Sequence, residues 1–358
     1  MGKAALKSLA ILFLVLALQP MGWSTAAAGE MLWKLALGDS LPQLRLELAE
    51  ELAARLNAHS QGSCSVEIFT ADLLGSEMEL LNMVQNGSLE LAVVNGQLLE
   101  NWNPDFSVFN LPCVFKSPQQ QLQILADPAL TGELYQSTGG LGIEVLAALY
   151  SGAEVLCTVN TPLRSSADLA GLRLGTGSFE PLAALMRQQG AAPYGVTAAE
   201  ALKKLQLDGA TLPLEQYFSQ AFYELAPHLS LSNHLLVPDY VVVNAAFLNS
   251  LDAETQELLR SQLGWFVTEN LARVIRLEEQ LTESAALEGV QLYDPGRSLL
   301  CAEPRACLNR SLTYESQRTL LTNLLGPVES EDLQGEENTA APRPLYPEDP
   351  DTTSLLTP

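Results

Sequence analysis

Residues 32–94 read LWKLALGDSLPQLRLELAEELAARLNAHSQGSCSVEIFTADLLGSEMELLNMVQNGSLELAVV. The stretch 32–37 is strand-like. Residues 43–60 then set Leu44, Leu46, Leu48, Leu52 and Leu56 among polar partners, the pattern of an amphipathic helix. Residues 64–69 alternate as a second strand. Residues 76–86 predict a second helix, with Met78, Leu81, Met83 and Val84 inward and Gly87 as its C-terminal stop. Residues 89–94 form a short apolar strand. Strand, helix, strand, helix, strand is the signature of a parallel α/β sheet.

Outward toward the C-terminus the alternation continues less regularly. Residues 106–115 hold Asn110-Leu111-Pro112 and read as an irregular or edge element. Residues 119–126 and 129–138 look helical, 143–150 and 172–174 strand-like, 179–190 and 198–205 helical. Residues 235–244 read as one very apolar strand around Val241-Val242-Val243. From Asp252 to about Leu287 runs a helical pattern interrupted only by Gly264, unusually long for a globular helix and long enough to bridge two domains. Residues 290–293 predict a strand and 310–325 a last helix. Residues 326–358 hold six prolines, eight acidic residues and one Arg. Such a stretch buries too little apolar surface to offset its ordering entropy and reads as a disordered acidic tail.

Toward the N-terminus, Lys3 and Lys7 precede an apolar run from Ala10 to Leu18, and Ala26-Ala27-Ala28 supplies a small-residue cleavage site. Residues 1–28 therefore read as a secretory signal cut near Ala28, which predicts an exported, periplasmic protein. The 358 residues suggest about two domains, and 47 % hydrophobic residues suffice for sizeable cores. Forty-two acidic against nineteen basic residues give a net charge of −23. That balance argues against nucleic acid as a partner, because phosphate contacts need clustered Lys and Arg. In an oxidising compartment the five cysteines can pair. Cys301 and Cys307 flank a short loop and form the expected disulfide. Cys64, Cys113 and Cys157 read as buried thiols.

Several segments, in order, resemble the solute-binding proteins of tripartite ATP-independent periplasmic (TRAP) transporters. They are Phe69 to Glu77, Val84 to Ala92, Phe109 to Phe115, Thr161 to Leu174 and Leu207 to Pro213, followed by Asn244 and the long helix. The resemblance covers roughly residues 32–325. It implies an α/β, two-lobe periplasmic binding protein fold with hinged lobes and a long bridging helix. The implied lobes are 29–152 plus 241–280 and 153–240 plus 281–325. A small-molecule solute would sit in the cleft, stabilise the closed form because it touches both lobes only there, and pass to integral-membrane permease subunits.

The sequence departs from that family where the family holds its ligand. Capture of a carboxylate favours a planar Arg fork. The strand here reads Gly171-Leu172-Arg173-Leu174-Gly175, with Gly175 where the Arg is expected. Val155 stands where a second Arg is often seen, and Asn95 replaces an acid. Thr211 and Leu212 replace the acid and amide of the Asp-Gly signature. Three readings stay open: a less charged or more apolar solute, substitution by Arg173, or loss of small-solute binding in favour of another role. The alternative to a transporter subunit is a divergent periplasmic ligand-binding or interaction module for a sensor or envelope complex. Carried over by position, the ligand-binding residues are Ser76, Glu77, Asn95, Arg173, Gly175, Ser178, Thr211 and Leu212. Gly175-Thr176-Gly177-Ser178 also precedes a helix whose N–H groups could hold an anion.

Nothing else points to chemistry. There is no Gly-x-Ser-x-Gly, Walker or His-Glu-x-x-His motif, so an enzyme is not expected. His228, His234 and Asp239 match no familiar metal spacing, and no cofactor is called for. His59 ends an amphipathic helix, where capping is its expected role.

Overall fold

The computed structural model describes residues 31–302, 308 and 310–325. The signal segment 1–28, the tail 326–358 and Cys307 lie outside them. The strands are β1 (Met31–Leu37), β2 (Cys64–Thr70), β3 (Leu91–Asn95), β4 (Ile143–Leu149), β5 (Glu154–Thr158), β6 (Arg173–Gly175), β7 (Ala192–Tyr194), β8 (Gly209–Pro213), β9 (His228–Leu235), β10 (Asp239–Asn244) and β11 (Gln291–Tyr293). They form two sheets, β2-β1-β3-β10-β4 and β11-β9-β5-β8-β6-β7. In the first, β1 pairs in parallel with β2 and β3, as the alternating pattern of 32–94 requires.

Helix α1 (Pro42–His59) starts on a proline, which suits a first-turn position because its missing N–H would be unpaired there. It buries Leu48, Ala49, Leu52 and Leu56 with Trp33, Leu35 and Leu37 of β1. His59 Nδ1 lies 2.8 Å from the Arg55 carbonyl oxygen, closing the last turn. Helix α2 (Glu77–Gln85) packs Leu80, Leu81 and Val84 against the other side of the same sheet.

The apolar run 235–244 is two strands in different sheets. Residues 236–238 carry the chain from β9 back to the first sheet, where β10 runs antiparallel to β3 and β4. Pro238 has no N–H for a ladder, which fits a break at that point. Asp239 and Tyr240 thus belong to the first sheet. A second crossing, 150–153, joins β4 to β5. These two short crossings connect the two sheets.

The long helical pattern is one helix, α3 (Ala253–Ser284), about 48 Å long at 1.5 Å per residue. It passes Gly264 unbroken, and a Cβ added there would meet nothing within 4 Å. Leu259, Leu263 and Phe266 pack in the first lobe with α1. Asn270 Nδ2 donates to the Tyr150 carbonyl at 2.8 Å. Glu278 accepts from the Tyr150 hydroxyl and the Ala153 N–H, both at 2.9 Å. Leu281 reaches the apolar cluster of the second lobe. The helix therefore supports both lobes and ties itself to one crossing. Helix α4 (Glu315–Leu325) returns to the first lobe, where Gln317 donates to the Pro104 carbonyl. No helix among the described residues is long and apolar enough to cross a membrane.

The expected Cys301–Cys307 bridge is not formed. Cys301 is bonded to Cys113, 188 positions away, so Cys113 is not the buried thiol expected. The loop carrying Cys113 is brought there by two hydrogen bonds of 2.7 Å: its N–H donates to the His234 carbonyl, and Arg297 Nη2 donates to its own carbonyl. The bridge ties a first-lobe loop to the end of the second lobe. Cys64 and Cys157 are buried, and burial pushes the Cys157 thiol up to about 12.

Candidate functional site

Parallel strands of an open α/β sheet leave a crevice at their carboxyl ends, where ligands commonly bind. Here the loops after β1 and β3, the start of α2 and the crossing at Ser151 form one wall of such a crevice. The opposite wall is Pro213 and the short helix that follows it (Leu214–Ser219), in the second lobe. The cleft, open to solvent, has a volume of about 720 Å³, within the usual range for small-molecule sites.

Of the eight residues carried over by position, Ser76, Glu77 and Asn95 line this cleft. Ser76 caps α2: its hydroxyl accepts from the Glu79 N–H, and the Glu79 carboxylate accepts from the Ser76 N–H at 2.6 Å. These bonds hold the Glu79 carboxyl below its ordinary value. Glu77 accepts from the Asp39 N–H at 2.8 Å and from the Asn95 N–H at 2.7 Å. One carboxylate thus pins the ends of both strands that build the wall. Its reach depends on Gly38, where a Cβ would lie 2.3 Å from Glu77 Oε1. Burial pushes the Glu77 carboxyl up against the pull of those two bonds, and the charges of Asp239 and Asp39 add to the rise. Asn95 caps the next turn, accepting from the Gln97 N–H at 3.0 Å.

Beneath the wall lies a buried ion pair. Arg45 Nη2 is 3.1 Å from Asp239 Oδ2, and both side chains are at most 2 % exposed. Two cleft residues join it. The Ser40 hydroxyl donates to Asp239 at 3.3 Å, and Arg45 Nη2 reaches the Ser151 hydroxyl at 3.5 Å. Burial lowers Arg45 and raises Asp239, and each partner's charge opposes the shift. Asp239 begins β10 and Ser151 lies in the other crossing, so Arg45 of α1 fastens the base of both.

The other five residues do not line the cleft. Arg173 and Gly175 share a strand face, as their spacing requires; Arg173 is exposed at its edge, while Gly175 is buried against the segment 200–208. A Cβ at Gly175 would lie 2.6 Å from Ala201 Cβ. Arg173 grips Asp208 with Nε at 3.1 Å and Nη2 at 2.9 Å, and also donates to the Gln206 carbonyl. Ser178 is exposed on a turn, and Thr211 and Leu212 are buried in β8. At the helix following Ser178, Glu180 occupies the first turn and pairs with Arg187 at 2.8 Å, an acid where the anion was considered. His228 meets the Tyr293 hydroxyl and His234 the Ser232 hydroxyl.

The second-lobe wall is instead Pro213, Glu215, Gln216, Ser219 and Gln220, residues that the sequence reading missed. Their signal was available: 215, 216, 219 and 220 share a helix face, directly after the Asp-Gly signature that ends at Pro213.

Comparison with known proteins agrees with this architecture. Residues 41–299 match the family model of bacterial extracellular solute-binding protein, family 7. The C4-dicarboxylate-binding periplasmic protein DctP of Rhodobacter capsulatus is 29 % identical over 214 residues, 58 % of this chain and 62 % of that one. A TRAP periplasmic solute-binding protein of Escherichia fergusonii, in an apo open structure, superposes with a TM-score of 0.73 at 19 % identity, over 82 % of this chain and 98 % of its own. Another, from Chromohalobacter salexigens with bound D-glucuronate, gives 0.71 at 19 % identity over the same shares. The chain belongs to family 7 of the bacterial extracellular solute-binding proteins, the TRAP type.

Proposed function

We propose that this protein is exported to the periplasm, captures a small solute in the cleft between its lobes, closes on it by bending at the two crossings, and delivers it to membrane permease subunits. The observation that carries this reading is the cleft itself: a cavity walled by strand ends of one lobe and a helix of the other, with Ser151 of one crossing in its lining. A solute that touches both walls stabilises the closed form over the open one. Ser76, Glu77 and Asn95 act on the first-lobe side, Ser76 and Glu77 mainly by fixing the wall. The solute is less negatively charged than the organic acids named for relatives, because the Arg expected at 175 is a glycine and Arg173 is committed to Asp208.

The test is mass spectrometry of small molecules released from the freshly purified protein, followed by thermal unfolding with each molecule added back. A true ligand at 100 times its Kd adds about 2.7 kcal/mol of stability. Release of nothing, together with no stabilisation by any added solute, would count against solute capture.

A further inference from the structure

The charge on the cleft walls points to a class of solute. Three carboxylates line the cavity: Asp39 and Glu77 from the first lobe and Glu215 from the second. Among the described residues no Lys or Arg lines it; Arg273 and Arg276, in the adjoining cavity that shares Glu215 and Ser219, are paired with Glu51 and Glu269. Glu77 is spent on two backbone N–H groups. Among the described residues, the Asp39 and Glu215 side chains have neither a hydrogen-bond nor an ion-pair partner. The cation beneath the wall, Arg45, is fully buried and already neutralised by Asp239. A guest therefore meets negative charge from both sides.

Closing the lobes brings Asp39 and Glu215 together across a shrinking, drying space. Like charges resist that approach, and the resistance grows as water leaves and the local dielectric falls. An acid guest adds a third like charge. A guest with a protonated amine removes the repulsion and supplies donors for both carboxylates as charge-assisted hydrogen bonds. The same contact would then serve for recognition and for closure.

We infer that the cleft takes a solute bearing a protonated amine, held between Asp39 of the first lobe and Glu215 of the second. This inference rests on the solute-capture reading above and deepens it. The remaining polar lining, Ser40, Asn95, Gln97, Ser151 and Gln216, suits hydroxyl or carbonyl groups on the same solute.

The test uses the purified full-length protein and probes matched in size but not in charge. D-glucosamine, putrescine and ethanolamine are compared with D-glucose, D-glucuronate and succinate by calorimetry, with small-angle scattering for closure. The expected result is that at least one amine binds and contracts the protein, at least about tenfold more tightly than any acid or neutral probe. Glu215→Gln and Asp39→Asn should each weaken it by at least about tenfold, with far-UV circular dichroism unchanged. Both sites are on the surface of the cleft, and either variant alone suffices if the other misfolds. Binding of D-glucuronate, succinate or D-glucose at least as tight as that of every amine would overturn the inference and leave solute capture standing. Amine binding that both variants retain would overturn it too. Absence of binding and of contraction with all six probes would count against both readings.

Discussion

Replacing Cys113 with Ala removes a covalent tie between residues 188 positions apart. In the chain-entropy account, a closed loop of that size restricts the unfolded state by about 5 kcal/mol at 25 °C. The pairing first expected, Cys301 with Cys307, would close a loop of only a few residues, worth roughly 2 kcal/mol on the same relation. The two pairings thus differ in magnitude and in which residue matters. Denaturant unfolding of the full-length protein in oxidising buffer should show Cys113→Ala and Cys301→Ala losing about 3–5 kcal/mol each, and the double variant losing no more than one of them. Cys307→Ala should unfold as the wild type does. Reductant should bring the wild type down to the level of Cys113→Ala and leave that variant unmoved. Equal stability of Cys113→Ala and wild type under oxidising conditions, or a loss confined to Cys301→Ala and Cys307→Ala, would refute the bridge and with it the tie between the first-lobe loop and the second lobe.

Arg45→Met leaves Asp239 buried without its countercharge and should cost about 3–5 kcal/mol in denaturant unfolding. The double variant Arg45→Met/Asp239→Leu should lose less than Arg45→Met alone, and equal or greater loss would contradict a coupled pair. Glu154 and His234, with Nε2 and Oε2 3.9 Å apart, give opposite pH dependences. Burial raises the Glu154 carboxyl from 4.5 to about 7, so the folded state holds its proton and stability falls as pH rises from 4.5 to 7, by roughly 3 kcal/mol at most. Burial lowers His234 from 6.5 to about 3, with the Arg297 charge adding to it, so stability falls as pH drops below 6.5. The two offset each other between pH 4.5 and 6.5. Unfolding midpoints across pH 4.5–8 should therefore reveal a loss on acidification in Glu154→Gln and a gain on acidification in His234→Gln; wild-type profiles in both variants would sink the assignment.

The first lobe was legible in the sequence because its signals are local. Helix α1 shows its apolar stripe, α2 its serine cap and glycine stop, and β1, β2 and β3 their apolar runs. The long helix was legible for the same reason. What the sequence hid was set by distant contacts. Residues 235–244 look like one strand because apolarity does not say which sheet a residue joins, although Pro238 marks the break. Cys301 looks closest to Cys307 because spacing carries no information on a loop that returns from position 113. Ser76, Glu77 and Asn95 line the cleft because they sit at strand ends and helix starts. Arg173 does not line it: its guanidinium is held by Asp208 and the Gln206 carbonyl. Glu215 to Gln220 showed a polar helix face after Pro213, but what that face meets is set only when the second lobe is placed opposite the first.

The central claim is that the lobes close on a solute. Its most direct measurement is small-angle scattering of the purified protein, first stripped of bound small molecules and then supplied with those molecules again. The account predicts that the radius of gyration falls on addition and rises again on removal, with the change lost when the cleft is blocked by Ser219→Trp. An unchanged radius with a bound solute would contradict it.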